Sequence, residues 1–126
     1  MPNSNIIGID HASVIVADTV RALSFYCELL ELELDATRPE MDYPGAWLKV
    51  GEAHQIHLIE LPNPDPVNGR PSHGGRDRHI ALRVTDLTVL MEKLKQAGID
   101  VSVSKSGRKA AFCRDYDANA VELIEK

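Results

Sequence analysis

Apolar and polar positions alternate through HASVIVAD at 11–18, with Ala12, Val14 and Val16 on one side and His11, Ser13 and Ile15 on the other. A period of two marks a strand that buries one face. The same alternation returns in HIALRVTD at 79–86, where Ile80, Leu82 and Val84 oppose His79, Ala81 and Arg83. Behind each run stands an aspartate, and then the period becomes helical. Leu23, Tyr26, Cys27 and Leu30 form an apolar stripe after Asp18, and Leu87, Leu90, Met91, Leu94 and Ala97 form one after Asp86, so each aspartate is placed to cap a helix N-terminus. Gly98 suits the C′ position that ends the second helix. Beyond the helices, ELELDA and IDVSV read as strands. GAWLKVGEAHQIHLIEL and GRKAAFCRDYDANAVELIE each read as two strands joined by a turn.

The order of elements is therefore βαβββ, used twice. The repeat is visible in the letters too, since IHLIE at 56–60 returns as VELIE at 121–125. The fold expected is α+β, a single domain over 1–126 made of one module at 5–62 and a second at 77–126. Between them, 63–76 is rich in proline, glycine and polar residues, which break both periods and predict a loop. Such a loop serves either as a lid over a site or as a tether between modules.

Alternation also sorts the histidines. In HQIHLIE the two histidines are three apart and cannot share a strand face. Ile56 and Leu58 oppose Gln55, His57 and Ile59, just as Val121 and Leu123 oppose Glu122 and Ile124. His57 and Glu122 thus hold one repeat position, while His54 and His73 fall outside the pattern and are expected to be solvated. Four metal-type ligands then occupy equivalent places, His11 with His57 and His79 with Glu122. Singly, each is an ordinary core or surface residue. Together, under a pseudo-twofold relation, they define a candidate site for Zn, Ni, Co, Mn or Fe(II) with room for water or substrate.

Composition narrows the partners. The 126 residues carry 19 acidic and 14 basic side chains, a formal charge of −5, and no basic block, which argues against nucleic acid. No apolar run approaches the roughly 18 residues of a membrane span, and MPNSNIIG lacks the form of a signal peptide. A cytoplasmic protein without a membrane partner is expected. The two cysteines, Cys27 and Cys113, lie in apolar-patterned segments and read as free buried thiols.

IDHASVIVAD with RALSFYCELLELEL, then GAWLKVG and QIHLIEL, DRHIALRVTDL and AFCRDYDANAVELIE resemble the vicinal-oxygen-chelate superfamily across essentially the whole chain. That superfamily includes glyoxalase I, methylmalonyl-CoA epimerase, fosfomycin-resistance transferases, extradiol dioxygenases and bleomycin-binding proteins. The resemblance implies paired βαβββ modules curling into a half-open mixed β-barrel around a divalent metal, with its ligands at His11, His57, His79 and Glu122. In glyoxalase I the position of His57 is normally glutamate, and in the epimerase glutamine. The family's DPDGN turn stands here as DYDAN, with Tyr116 and Ala118 in place of proline and glycine.

The function expected from this resemblance is metal-dependent proton transfer next to a carbonyl of a small oxygen-chelating substrate, a lyase or isomerase of glyoxalase I type. Glu122 is the candidate base. Arg83 is a candidate for an anionic group of the substrate, with Ser13 and Trp47 as further candidate contacts, and Arg70, Arg76 and Arg78 as weaker ones. The alternatives are an extradiol-type dioxygenase, a thiol transferase, or a non-catalytic protein that sequesters a small molecule. Open sheet edges predict a homodimer. Glyoxalase I-like relatives often build each site from the first module of one chain and the second of the other, dioxygenase-like relatives from one chain, and the sequence leaves both open.

Overall fold

The computed structural model describes residues 4–126. Two four-stranded mixed sheets carry the chain. The first is built from β1 (His11–Val16), β2 (Glu33–Asp35), β3 (Gly45–Val50) and β4 (His54–Glu60) in the order β1-β4-β3-β2. The second is built from β5 (His79–Val84), β6 (Ser102–Val103), β7 (Ala110–Arg114) and β8 (Ala120–Glu125) in the order β5-β8-β7-β6. In each the first strand pairs parallel to the last and the other pairs are antiparallel. The two βαβββ modules read from the periodicity are present. The strands expected over ELELDA and IDVSV are shorter than the segments, three and two residues long.

Both helices start where the aspartates stand. Asp18 accepts the Arg21 N–H ahead of α1 (Thr19–Leu23), and Asp86 accepts the Val89 N–H ahead of α2 (Leu87–Gln96). Gly98 follows α2 at φ 82°, a left-handed backbone that glycine adopts without a Cβ clash. Ala97, placed on the buried stripe by its spacing, is exposed at the C-cap instead. After Leu23 the first helix widens into a π turn over Ser24–Leu29, with Leu30 N–H reaching back to the Phe25 carbonyl. The extra residue per turn rotates Phe25 and Tyr26 inward together, and both are fully buried.

The core lies between each helix and its sheet. Val16, Ala46, Leu48, Ile56 and Leu58 pack beneath the first helix with Phe25 and Tyr26, while Leu82, Ala111, Cys113, Val121 and Leu123 pack with Leu87 and Leu94 of α2. The modules are joined through the β7–β8 turn. The Tyr26 hydroxyl donates to Asp115 Oδ2 at 2.7 Å, Asn119 Nδ2 to the Ile15 carbonyl at 3.1 Å, and the Ala17 N–H to Asp117 Oδ1 at 3.1 Å.

The 63–76 segment is fastened along its length. Arg70 and Arg114 both donate to Asp77, Arg114 also to the Pro71 carbonyl, and a single helical turn at Gly74–Arg76 lies on the open face of the second sheet, where Gly74 is buried against Phe112 and Ala120. Asp77 is held well below the usual carboxylate range by Arg70 first and Arg114 beside it. His73, expected in solvent, is half-buried: its Nδ1 accepts the Gly75 N–H, its Nε2 faces the Val103 carbonyl, and its ring packs 4.9 Å from Phe112.

Candidate functional site

The strand registers put the candidate ligands at equivalent points of the two sheets. Ser13, His57 and Trp47 are neighbours across β1, β4 and β3, as Ala81, Glu122 and Phe112 are across β5, β8 and β7. Because Ile56 with Leu58, and Val121 with Leu123, are pulled under the helices, His57 and Glu122 are turned to the opposite faces. His11 and His79 begin the strands beside them.

In the first module the imidazoles of His11 and His57 stack at 3.8 Å between centroids and 12° between planes, and Trp47 stacks on the other side of His57 at 4.4 Å. His11 Nδ1 is 2.7 Å from Asp10 Oδ1, which leaves Nε2 as the available lone pair and lowers the Asp10 pKa. His57 Nε2 donates to Gln55 Oε1 at 2.8 Å, and Gln55 Nε2 donates in turn to Asp35 at 2.6 Å, so Nδ1 is the open nitrogen of His57. Burial, with the His11 ring alongside, lowers the His57 pKa and favours the neutral imidazole that binds metals.

In the second module His79 Nδ1 is held 2.8 Å from the Asp77 carbonyl, and its Nε2 faces Glu122 Oε1 at 3.1 Å. The Glu122 side chain is only 4% exposed. Its other oxygen, Oε2, accepts Arg108 Nη2 at 3.0 Å. The clasp of Arg70 and Arg114 on Asp77 therefore also fixes the carbonyl that orients His79.

Each pair has the donor chemistry and outer hydrogen bonding of half a divalent-metal site. Among the described residues, however, no group of three or more His, Cys, Asp and Glu side chains stands close enough to hold an ion. One chain brings His11 to His57, and His79 to Glu122, but not the two pairs to each other. A cavity of about 330 Å³ opens between the modules, with Ser13, Arg70, Arg78, His79 and Asn119 in its lining. Arg70 and Arg78 are there neutralised by Asp77 and Asp65. Arg83 is exposed on β5 and makes no hydrogen bond among the described residues. His54 is exposed, its Nδ1 3.0 Å from the Ile9 carbonyl. Both cysteines are free, and burial pushes the Cys113 thiol up to about 12, which removes it as a nucleophile.

Residues 8–123 match the model of the Glyoxalase/Bleomycin resistance protein/Dioxygenase superfamily. The chain belongs to this superfamily. It is 30% identical over 122 residues to a lactoylglutathione lyase of Salmonella typhimurium, covering 91% of this chain and 90% of that one. It is 29% identical to Glyoxylase I 4 of Arabidopsis thaliana, covering 91% of this chain and 68% of that protein. Among solved structures, a Bacillus anthracis protein assigned to the glyoxalase family superimposes with a TM-score of 0.75 at 25% identity, over 100% of this chain and 99% of that one. An antibiotic-binding protein of Streptomyces has the same fold, with a TM-score of 0.75 at 23% identity, over 98% of each chain.

Within the superfamily fold, four residues that periodicity did not single out contact the candidate ligands, three by side chain and one by its backbone carbonyl. Asp10 and Gln55 orient the histidines of one module, Asp77 orients His79 through its carbonyl, and Arg108 holds Glu122. Asp10 and Gln55 carried a usable signal, being an acid next to a candidate ligand and a polar neighbour on its face. Arg108 sits in a turn, where no period marks direction.

Proposed function

We propose that this glyoxalase-superfamily protein is a divalent-metal-dependent enzyme that moves a proton between adjacent carbons of a small, oxygen-chelating substrate. The observation that carries the reading is the equivalence of the two pairs, His11 with His57 and His79 with Glu122, at matching registers, with one nitrogen of each histidine tied by a neighbour, the other open in His11 and His57 and turned to Glu122 in His79. The pairs meet when two copies associate, the first module of one facing the second module of the other. The unpaired arm before β1 favours such a dimer, since Ile6, Ile7 and Ile9 are 81%, 100% and 73% exposed.

The residues that would hold the ion are His11 and His57 from one copy with His79 and Glu122 from the other. Bound there, the ion would supply an electrophile for the substrate carbonyl. Glu122 takes the proton from the carbon beside the carbonyl and returns it to the next carbon. Arg108 and His79 hold its carboxylate in place, Trp47 walls the site beside His57, and Ser13, Arg83 and the cavity at the module boundary face the bound substrate. A sequestering protein is the second reading, favoured by the stacked rings of Trp47, His57 and His11, which suit a flat ligand.

Metal uptake by the purified protein separates the two readings. The enzyme reading expects one divalent ion per chain, sharply weakened by His79→Ala and unchanged by His54→Ala. With methylglyoxal plus a thiol, 2-oxo acids and acyl-CoA thioesters as trial substrates, Glu122→Gln should lower turnover by about a hundredfold or more, the scale of a lost general base. A protein that never takes up metal favours sequestration.

A further inference from the structure

Arg108 stands in the turn between β6 and β7 and is bound to this site by geometry alone. Its Nη2 donates to Glu122 Oε2 at 3.0 Å and its Nε to Ser106 Oγ at 3.1 Å, while Nη1 has no partner among the described residues. The side chain is 58% exposed although the carboxylate it touches is 4% exposed. An exposed guanidinium fork thus covers a buried carboxylate and still points open donors outward. Arginine is suited to this double task, since its planar fork grips one oxyanion edge while other N–H groups remain free.

The charge balance gives the fork a purpose. Imidazole is an uncharged ligand whenever it coordinates a metal, so Glu122 would be the single negative ligand to a divalent cation, and it is shared with Arg108. A loaded site keeps an excess of positive charge, which a substrate carrying its own negative charge relieves. We infer that Arg108 is the specificity-determining residue of the site, selecting substrates whose chelating oxygens include a carboxylate, such as 2-oxo or 2-hydroxy acids, over neutral carbonyl compounds. The inference rests on the metal-enzyme reading. It places one carboxylate oxygen on the outward N–H groups of Arg108, while Nη2 stays on Glu122.

Two probes of similar bite separate charge from chelation: oxalate, a dianion, and N,N,N′,N′-tetramethyloxamide, a neutral O,O-chelator with no proton to lose. Calorimetry on the metal-loaded full chain measures each against wild type, Arg108→Ala, Arg108→Lys and the same-turn control Lys105→Ala. Arg108→Ala should weaken oxalate about tenfold or more, the scale of one hydrogen bond between charged groups, and tetramethyloxamide by less than about threefold. Arg108→Lys should recover part of the loss, and Lys105→Ala should match wild type. Metal alone should bind Arg108→Ala at least as tightly as wild type, because Glu122 then loses a competing cation. If wild type loads with metal and Arg108→Ala binds oxalate as wild type does, the role of Arg108 is refuted while the enzyme reading stands. Equal weakening of both probes, or weaker metal binding in Arg108→Ala, makes Arg108 a support for Glu122 only and overturns the selectivity. A wild-type protein that takes up no metal overturns both.

Discussion

Ala118 occupies the turn between β7 and β8 at φ 67°, a left-handed backbone that costs an L-residue about 1–2 kcal/mol. The turn persists because Ala118 N–H bonds the Asp115 carbonyl at 3.2 Å and the Ala118 carbonyl accepts Arg114 Nη1 at 2.7 Å. Glycine relieves the strain and gives back part of the gain as unfolded-state entropy. Ala118→Gly should raise unfolding free energy by about 0.5–1 kcal/mol, read as a higher urea midpoint at unchanged slope. At this scale the sequence was legible where period decided direction. His57 and Glu122 were assigned to the open faces, and His54 to the exterior, because their strand neighbours are unambiguous apolar residues. Arg108 and His73 were not legible in the same way, since each takes its role from a turn whose path only tertiary contacts determine.

The helix stripes illustrate the same limit one level up. Asp18 and Asp86 cap as their positions imply, yet the spacing that selected Leu23, Tyr26, Cys27 and Leu30 passed over Phe25, because a π turn shifts the buried face by one residue. That turn delivers Tyr26 to Asp115, whose carboxylate also accepts the Asp117 and Asn119 N–H groups. Burial raises the Asp115 pKa, and the Tyr26 hydroxyl and Asn119 pull it partly back. A folded-state pKa above the unfolded value means this group's contribution is fully present below about pH 3.9 and declines as pH rises through the folded value. Tyr26→Phe moves the folded value higher still. Its cost should therefore be small near pH 3 and grow toward about 1.5–3 kcal/mol at pH 7, the range for a hydrogen bond to a charged group. Urea unfolding at the two pH values checks this, and a cost independent of pH would remove the carboxylate from the explanation.

For the whole molecule, the repeat in the sequence was enough to obtain the two βαβββ modules and the equivalent places of His11 with His57 and His79 with Glu122, because each module's alternation is self-contained. The order of strands within each sheet came only with the structure. How the two pairs would come together was not legible, since on the proposed reading that depends on surfaces between copies and no period encodes them. The exposed isoleucines of the arm lie just ahead of Asp10 and His11, so covering them by a second copy also seats one half of the site. Ile7→Glu should shift the protein toward monomer in sedimentation and lower metal retention in step, because leaving a charge in an apolar contact disfavours association. Monomer that keeps its metal would separate the arm from the site.

A shared site has a consequence that a site within one chain cannot imitate. His57→Ala and His79→Ala each damage every site in their own homodimers, and both purified variants should retain little metal. Unfolded together and refolded as a mixture, they form heterodimers in which one site carries both substitutions and the other carries neither. Metal analysis of the isolated heterodimer should find one tightly bound ion for each pair of chains. A heterodimer as empty as its parents would contradict a site completed between copies.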